Sequence, residues 1–122
     1  MPCKVMVIED DRDIRDALTE ALTLEGFEVD AAENGKAALD QLQGSPPGKL
    51  PDFLFLDLMM PVMDGWRLRD ELKKDPRLAS IPVVAVTAST EKARIRSTFE
   101  GYLEKPVDLD RLLETAEHYC HP

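Results

Sequence analysis

At 122 residues the chain has room for one domain with a hydrophobic core and too little for a second of ordinary size. Its 15 Lys and Arg against 24 Asp and Glu leave a formal net charge of −9, which argues against a nucleic-acid surface, because phosphate contacts need clustered cations. No apolar stretch approaches the roughly 20 residues that span a bilayer, and the N-terminus reaches acidic residues after one short apolar run, so neither a membrane partner nor a secretory signal is expected.

Lys4 to Ile8 reads as a short apolar strand, followed by a helix whose Ile14, Ala17, Leu18, Ala21 and Leu22 recur at helical spacing. Asp11 or Asp13 can cap that helix and Gly26 ends it. Phe27 to Ala31 is the second strand, and Asn34-Gly35 turns into a helix bearing Ala37, Ala38, Leu39 and Leu42. Gly44 to Pro51, rich in Pro and Gly, is a long surface loop. Phe53-Leu-Phe-Leu-Asp57 is the third strand, and a helix from about Trp66 to Lys74 stops before Asp75-Pro76. Ile81-Pro82 leads into the fourth strand, Val83 to Val86, and a short helical segment, Glu91 to Thr98, precedes the fifth at Tyr102-Leu103. Asp108 opens a last helix with Leu109, Leu112, Leu113, Ala116 and Cys120 on one face. Five alternations of strand and helix predict an α/β fold, a parallel sheet covered on both faces. Residues 1–122 are expected to form one domain, with no effector domain, because the chain ends almost immediately after its last helix.

The two cysteines, Cys3 and Cys120, stand near opposite ends without the spacing of a metal site or redox pair, and free thiols in a reducing cytoplasm are expected. The small basic groups, Arg67 and Arg69 with Lys73 and Lys74, and Arg94 with Arg96, read as solvated helix faces. Trp66 is expected to pack at the start of its helix, and His118 and His121 to lie at a frayed C-terminus without chemistry.

The chemistry gathers where the strands end. In a parallel sheet their C-terminal ends share one edge, where open α/β folds place their sites. That edge carries Glu9-Asp10-Asp11, the lone Asp57, Thr87 and Glu104-Lys105-Pro106. Unit charges about 4 Å apart interact by about 4 kcal/mol at an effective dielectric near 20, so Glu9, Asp10 and Asp57 call for a cation. Carboxylates without His or Cys favour Mg²⁺, with Mn²⁺ as the alternative, and a site with few protein ligands keeps waters that a phosphate can replace. Metal, Lys105 ammonium and Thr87 hydroxyl together suit a phosphoryl group, with Asp57 left as the nucleophile.

Four segments in order, Val7-Ile-Glu-Asp-Asp11, Leu56-Asp-Leu-Met-Met-Pro-Val-Met-Asp-Gly65, Pro82-Val-Val-Ala-Val-Thr-Ala88 and Gly101-Tyr-Leu-Glu-Lys-Pro106, resemble the receiver domain of bacterial two-component response regulators. The resemblance runs from Lys4 to about Cys120. It implies a flavodoxin-like five-stranded sheet in the order 2-1-3-4-5, flanked by five helices. It also implies that Asp57 accepts a phosphoryl group from the phosphohistidine of a histidine kinase or a histidine phosphotransfer protein. Asp10 would ligate Mg²⁺ directly and Glu9 through water, with Asp57 and the backbone carbonyl of Met59 completing the protein ligands. Lys105, Thr87 and the backbone N–H of Ala88 would hold phosphoryl oxygens, and Pro106 would follow a cis peptide bond. Tyr102 stands where the family has an aromatic that swings inward as Thr87 moves, so Thr87 and Tyr102 form the implied switch. The expected product is a phosphoprotein that signals to a downstream protein or passes the phosphoryl group onward. It is not an enzyme beyond its own phosphorylation and dephosphorylation.

The segment between Thr87 and Lys105 is shorter than the family usually has by about one helical turn, which predicts a shortened fourth helix. Three other functions fit less well. Phosphatases and phosphotransferases of the haloacid dehalogenase type carry a second acid two residues after the nucleophile, where this chain has Met59. A receiver fold working without phosphorylation usually lacks a site residue, and none is missing. A nucleotide-binding flavodoxin-like protein would need a Gly-rich phosphate loop after its first strand.

Overall fold

The computed structural model describes residues 3–60, 62–88 and 90–120. Pro61 and His121, which enter the sequence reading above, lie outside them. In chain order the elements are β1 (Lys4–Ile8), α1 (Arg12–Leu24), β2 (Glu28–Ala32), α2 (Gly35–Gly44), a 3₁₀ turn (Pro47–Lys49), β3 (Phe53–Asp57), α3 (Gly65–Lys74), β4 (Val83–Thr87), α4 (Lys92–Thr98), β5 (Gly101–Glu104) and α5 (Leu109–Cys120). The five strands form one parallel sheet in the order β2-β1-β3-β4-β5.

The strand sequences explain the layers. Every residue of β3 and β4 is buried, as expected of central strands covered on both faces, whereas the edge strands β2 and β5 expose part of their length. Alternate residues point to opposite faces. Met6, Ile8, Leu54, Leu56, Val83 and Ala85 pack with Leu42, Leu68, Leu72, Ile95 and Phe99 on the α2–α3–α4 side. Val5, Val7, Phe53, Phe55, Val84 and Val86 pack with Leu18, Leu22, Leu112 and Ala116 on the α1–α5 side.

Side-chain oxygens start three of the helices: the Oδ1 atoms of Asp11, Asn34 and Asp64 accept from the backbone N–H of Ile14, Ala37 and Arg67. Gly26, at φ +94°, stops α1 in a conformation that a Cβ would oppose. α4 has only 7 residues and, among the described residues, buries only Ile95, so its placement depends on tertiary contacts. The shortened fourth helix expected from the sequence is present.

Two readings need correction. Arg69 reads in the sequence as one of several solvated cations, yet it is 5% exposed and its Nη2 lies 2.8 Å from Glu100 Oε2. The Gly44–Pro51 loop lies at the surface as expected, contains the 3₁₀ turn and sits at the N-terminal edge of the sheet, where Lys4 Nζ donates to Lys49 O. Finally, Cys3 and Cys120 are not free thiols. They form a disulfide, because the start of β1 and the end of α5 meet at that same edge with Cα atoms 5.8 Å apart, a separation the sequence does not reveal.

Candidate phosphoacceptor site

Each chemical group of the site stands at or just beyond a strand end. Glu9 follows β1, and its N–H donates to Ala32 O at 3.1 Å, which continues the strand pairing by one residue and holds the side chain inward, 1% exposed. Asp10 is the next residue and is exposed. Asp57 closes β3 at 3% exposure, and Thr87 closes β4 at 1%. Lys105 follows β5, where its N–H donates to Thr87 O at 3.0 Å and the peptide bond to Pro106 is cis.

Lys105 reaches back over the sheet edge. Its Nζ lies 3.0 Å from Glu9 Oε1 and 3.2 Å from Asp57 Oδ2. The other Asp57 oxygen, Oδ1, accepts from the Met59 N–H at 3.0 Å. Glu9, Asp10 and Asp57 each offer a carboxylate oxygen within 4.8 Å of the others. Three carboxylates therefore converge on one ammonium, and the cluster retains excess negative charge.

The electrostatics follow from that imbalance. Burial, reinforced by Asp57, pushes Glu9 up from 4.5 to about 7 against the opposing pull of Lys105. Burial alone would also raise Asp10, but its hydrogen bonds with Glu9 and Asp57 outweigh it and bring the carboxyl below its ordinary value. Burial would lower Lys105, whereas Glu9 and Asp57 raise it, so it stays an ammonium. Glu9 Oε1 is buried at ion-pair distance from Lys105, outside hydrogen-bond geometry and without a hydrogen-bond partner among the described residues. An oxygen-only set with one buried oxygen unsatisfied and surplus negative charge fits a hard divalent cation.

Two supporting features escaped the sequence reading. Arg15, one turn into α1, donates from Nη1 to Glu9 O at 2.8 Å and to Asp10 O at 3.4 Å, pinning the acidic turn. Nothing in the sequence separates Arg15 from its exposed neighbour Arg12. Gly65 packs on the turn after Asp57 so closely that a Cβ would sit 2.8 Å from Leu58 Cα. In the same turn Val62 has φ +71°, a left-handed backbone that a β-branched residue seldom adopts. Met59 and Val62, 71% and 75% exposed, make an apolar rim beside the site. An apolar groove of about 600 Å³, lined by Ile14, Ala17, Leu18, Pro106, Val107 and Leu109, adjoins Lys105.

Tyr102, on β5, is half-buried against the α2–α3–α4 core, and its hydroxyl accepts from Arg96 Nη2 at 3.3 Å. Met59 and Ala88 adjoin the site in the chain, each directly beyond a residue that the geometry brings to the cluster or one removed from it. His118 is drawn away, with its ring 5.0 Å from Tyr119 near the end of α5.

This arrangement has many counterparts. Residues 5–117 match the family model described as the response regulator receiver domain. An uncharacterized 14.6 kDa protein of Leptolyngbya boryana is 38% identical, over 95% of this chain and 88% of its own length. The polar-differentiation response regulator DivK of Brucella anthropi is 33% identical over 98% of this chain and 97% of its own. The chain spans 48% of the length of the response regulator MprA of Mycolicibacterium vanbaalenii, at 32% identity. Among solved structures, the chemotaxis response regulator CheY4 of Vibrio cholerae superposes with a TM-score of 0.86 at 25% identity, covering 98% of this chain and 99% of that one. Fold and sequence thus agree from β1 to α5, and the chain belongs to the response regulator receiver domain family.

Proposed function

We propose that this receiver domain is a phosphorylation-dependent switch in which Asp57 takes a phosphoryl group from a phosphohistidine on a histidine kinase or phosphotransfer protein. The observation that carries this reading is the buried Asp57 carboxylate, 3.2 Å from Lys105 Nζ, with oxygens of Glu9 and Asp10 within 4.8 Å. An Asp57 oxygen attacks phosphorus, the P–N bond breaks, and its electron pair leaves with the imidazole. Mg²⁺ bound by Asp10, Asp57, the Met59 carbonyl and, through water, Glu9 would neutralise charge on the transferring group. Lys105 exchanges its contact with the carboxylate for one with a phosphoryl oxygen. Thr87 and the Ala88 N–H take the others.

The new charge draws Thr87, and Tyr102 on the neighbouring strand passes the movement to the face formed by α4, β5 and α5. A shallow hollow of about 400 Å³ on that face, lined by Tyr102, Leu103, Glu104, Pro106, Asp108 and Arg111, offers a place for a downstream protein. The switched domain signals to a separate protein through this face or passes its phosphoryl group onward. We place this activity in the cytoplasm; among the described residues no helix is long and apolar enough to cross a membrane.

Intact-mass measurement after incubation with Mg²⁺ and acetyl phosphate tests the reading. One phosphoryl adduct is expected, lost with EDTA and in Asp57→Asn. An adduct that persists in Asp57→Asn would reassign the acceptor.

A further inference from the structure

Cys3 and Cys120 are 117 residues apart in sequence and joined in space, so the bond closes nearly the whole chain into one loop. It lies at the edge of the sheet opposite Asp57, because β1 begins where α5 ends. The last turn of α5 is held there by more than the disulfide. The Tyr119 ring stacks 5.8 Å from Phe53, and its hydroxyl donates to Glu100 O at 2.9 Å. Gly101 makes room for it, since a Cβ there would come within 2.7 Å of the Tyr119 oxygen. The Glu100 carboxylate in turn accepts from the Val83 N–H at 2.6 Å and from Arg69 Nη2 at 2.8 Å. The clasp therefore meets a polar hub that joins α3, β4, β5 and α5.

Neither cysteine is fully buried: each packs against the α1–α5 core and keeps part of its surface at solvent. An accessible disulfide in a reducing compartment is exchanged with the thiol pool unless its fold shields it, and cytosolic disulfides in mesophiles are usually transient. We propose that Cys3–Cys120 is a reversible thiol-redox site whose opening loosens the last turn of α5 and leaves the Asp57 site intact. A dithiol reductant supplies the electrons: its thiolate attacks one cysteine sulfur and the Cys3–Cys120 bond breaks, releasing the other as a thiolate that takes up a proton. The reductant's second thiolate then resolves the mixed disulfide. Two cysteine thiols and one oxidised reductant result. The thiol exchange rests on the cytoplasmic placement proposed above and not on phosphoryl transfer; only its effect on the α4–β5–α5 face rests on that transfer.

The test takes the full chain purified without reductant and incubates it natively with reduced thioredoxin or dithiothreitol. Alkylation with intact-mass readout, amide exchange, melting and acetyl phosphate labelling follow. Before reduction no thiol should alkylate, and afterwards two should. A cross-link closing a loop this long constrains the unfolded chain strongly, so Tm should fall by about 10 °C or more on reduction. Exchange should quicken in the last turn of α5, around Glu100 and at the start of β1, while Asp57 labelling stays within about twofold, less than 0.5 kcal/mol by the relation of rate to free energy. Cys3→Ser should reproduce the reduced state, and the wild-type alkylation decides alone if that variant does not fold. Two free thiols before reduction, a disulfide that opens only on unfolding, or reduction without faster exchange in α5 would each overturn the proposal. Absence of labelling in both redox states would count against the phosphoacceptor reading and leave the clasp to be judged by its thiols and exchange.

Discussion

The guanidinium of Arg94 lies 3.9 Å from the centroid of the Trp66 ring, joining α4 to the first turn of α3. The Phe99 ring lies 5.2 Å from that of Trp66. Trp66 directly follows Gly65, which packs on Leu58 just beyond Asp57, so the stack connects the turn after Asp57 to the short helix α4.

Because α4 is only 7 residues long and, among the described residues, buries only Ile95, this contact should carry much of its docking. Arg94→Ala is expected to cost about 0.5–1 kcal/mol in chemical denaturation, the range of a partly exposed cation–π pair. Trp66 is the sole tryptophan, so its fluorescence reports the contact directly. Beryllofluoride with Mg²⁺ should change the emission of wild type and change it less in Arg94→Ala. Identical responses would show that the stack does not couple the two elements.

The raised Glu9 carboxyl gives the metal-free domain a definite pH dependence. Folding favours the protonated form, so the stability contributed by Glu9 is fully present below about 4.5, its ordinary value, and is lost as pH rises through about 7. Thermal melts in EDTA should therefore show Tm declining across that window. Glu9→Gln, which keeps a neutral side chain of the same shape, should flatten the decline. Mg²⁺ prefers the ionised cluster, so its stabilising effect should grow over the same range and weaken in Asp10→Asn. A decline of equal slope in Glu9→Gln would move its origin to another group.

Among the described residues, Lys105 is the one cation seen against both Glu9 and Asp57. Removing one partner of a buried pair leaves the other charges uncompensated, so Lys105→Ala should destabilise the metal-free protein by about 1–3 kcal/mol, less than for a fully buried pair. Mg²⁺ should restore most of that loss, because it supplies positive charge at the same place. Phosphoryl labelling or the conformational response should stay impaired even with metal. Full recovery of both by Mg²⁺ would make Lys105 a mere counter-charge.

The sequence disclosed the parts of this structure that rest on local pattern. Apolar runs ending in Glu9, Asp57, Thr87 and Lys105 place those groups on one edge once the strands are parallel, and Asp11 and Asn34 announce their helices. The strand order itself came from family resemblance, because five alternating elements admit more than one order. What stayed hidden depends on distances between remote segments. Cys3 and Cys120 look unrelated until α5 returns to the start of β1. Arg69 looks like any cation on a charged helix until Glu100 arrives from the far side of α4.

Gly65 offers a test of how closely the acceptor turn is packed. A Cβ there would lie 2.6 Å from Leu58 Cδ2, 2.8 Å from Leu58 Cα and 3.0 Å from Asp57 O. A side-chain methyl could swing away, but the backbone atoms cannot without moving Asp57. Gly65→Ala should therefore cost about 1–3 kcal/mol as an overpacked site and slow acetyl phosphate labelling as well. Gly44→Ala provides the control: its Cβ would meet nothing within 4 Å at the end of α2. That substitution should stabilise by about 0.4–1 kcal/mol through the unfolded chain and leave labelling unchanged. Denaturation midpoints and labelling rates of the two variants separate the general effect of adding a methyl from the particular closeness of the turn. Equal behaviour at Gly65 and Gly44 would mean that the backbone after Asp57 yields freely.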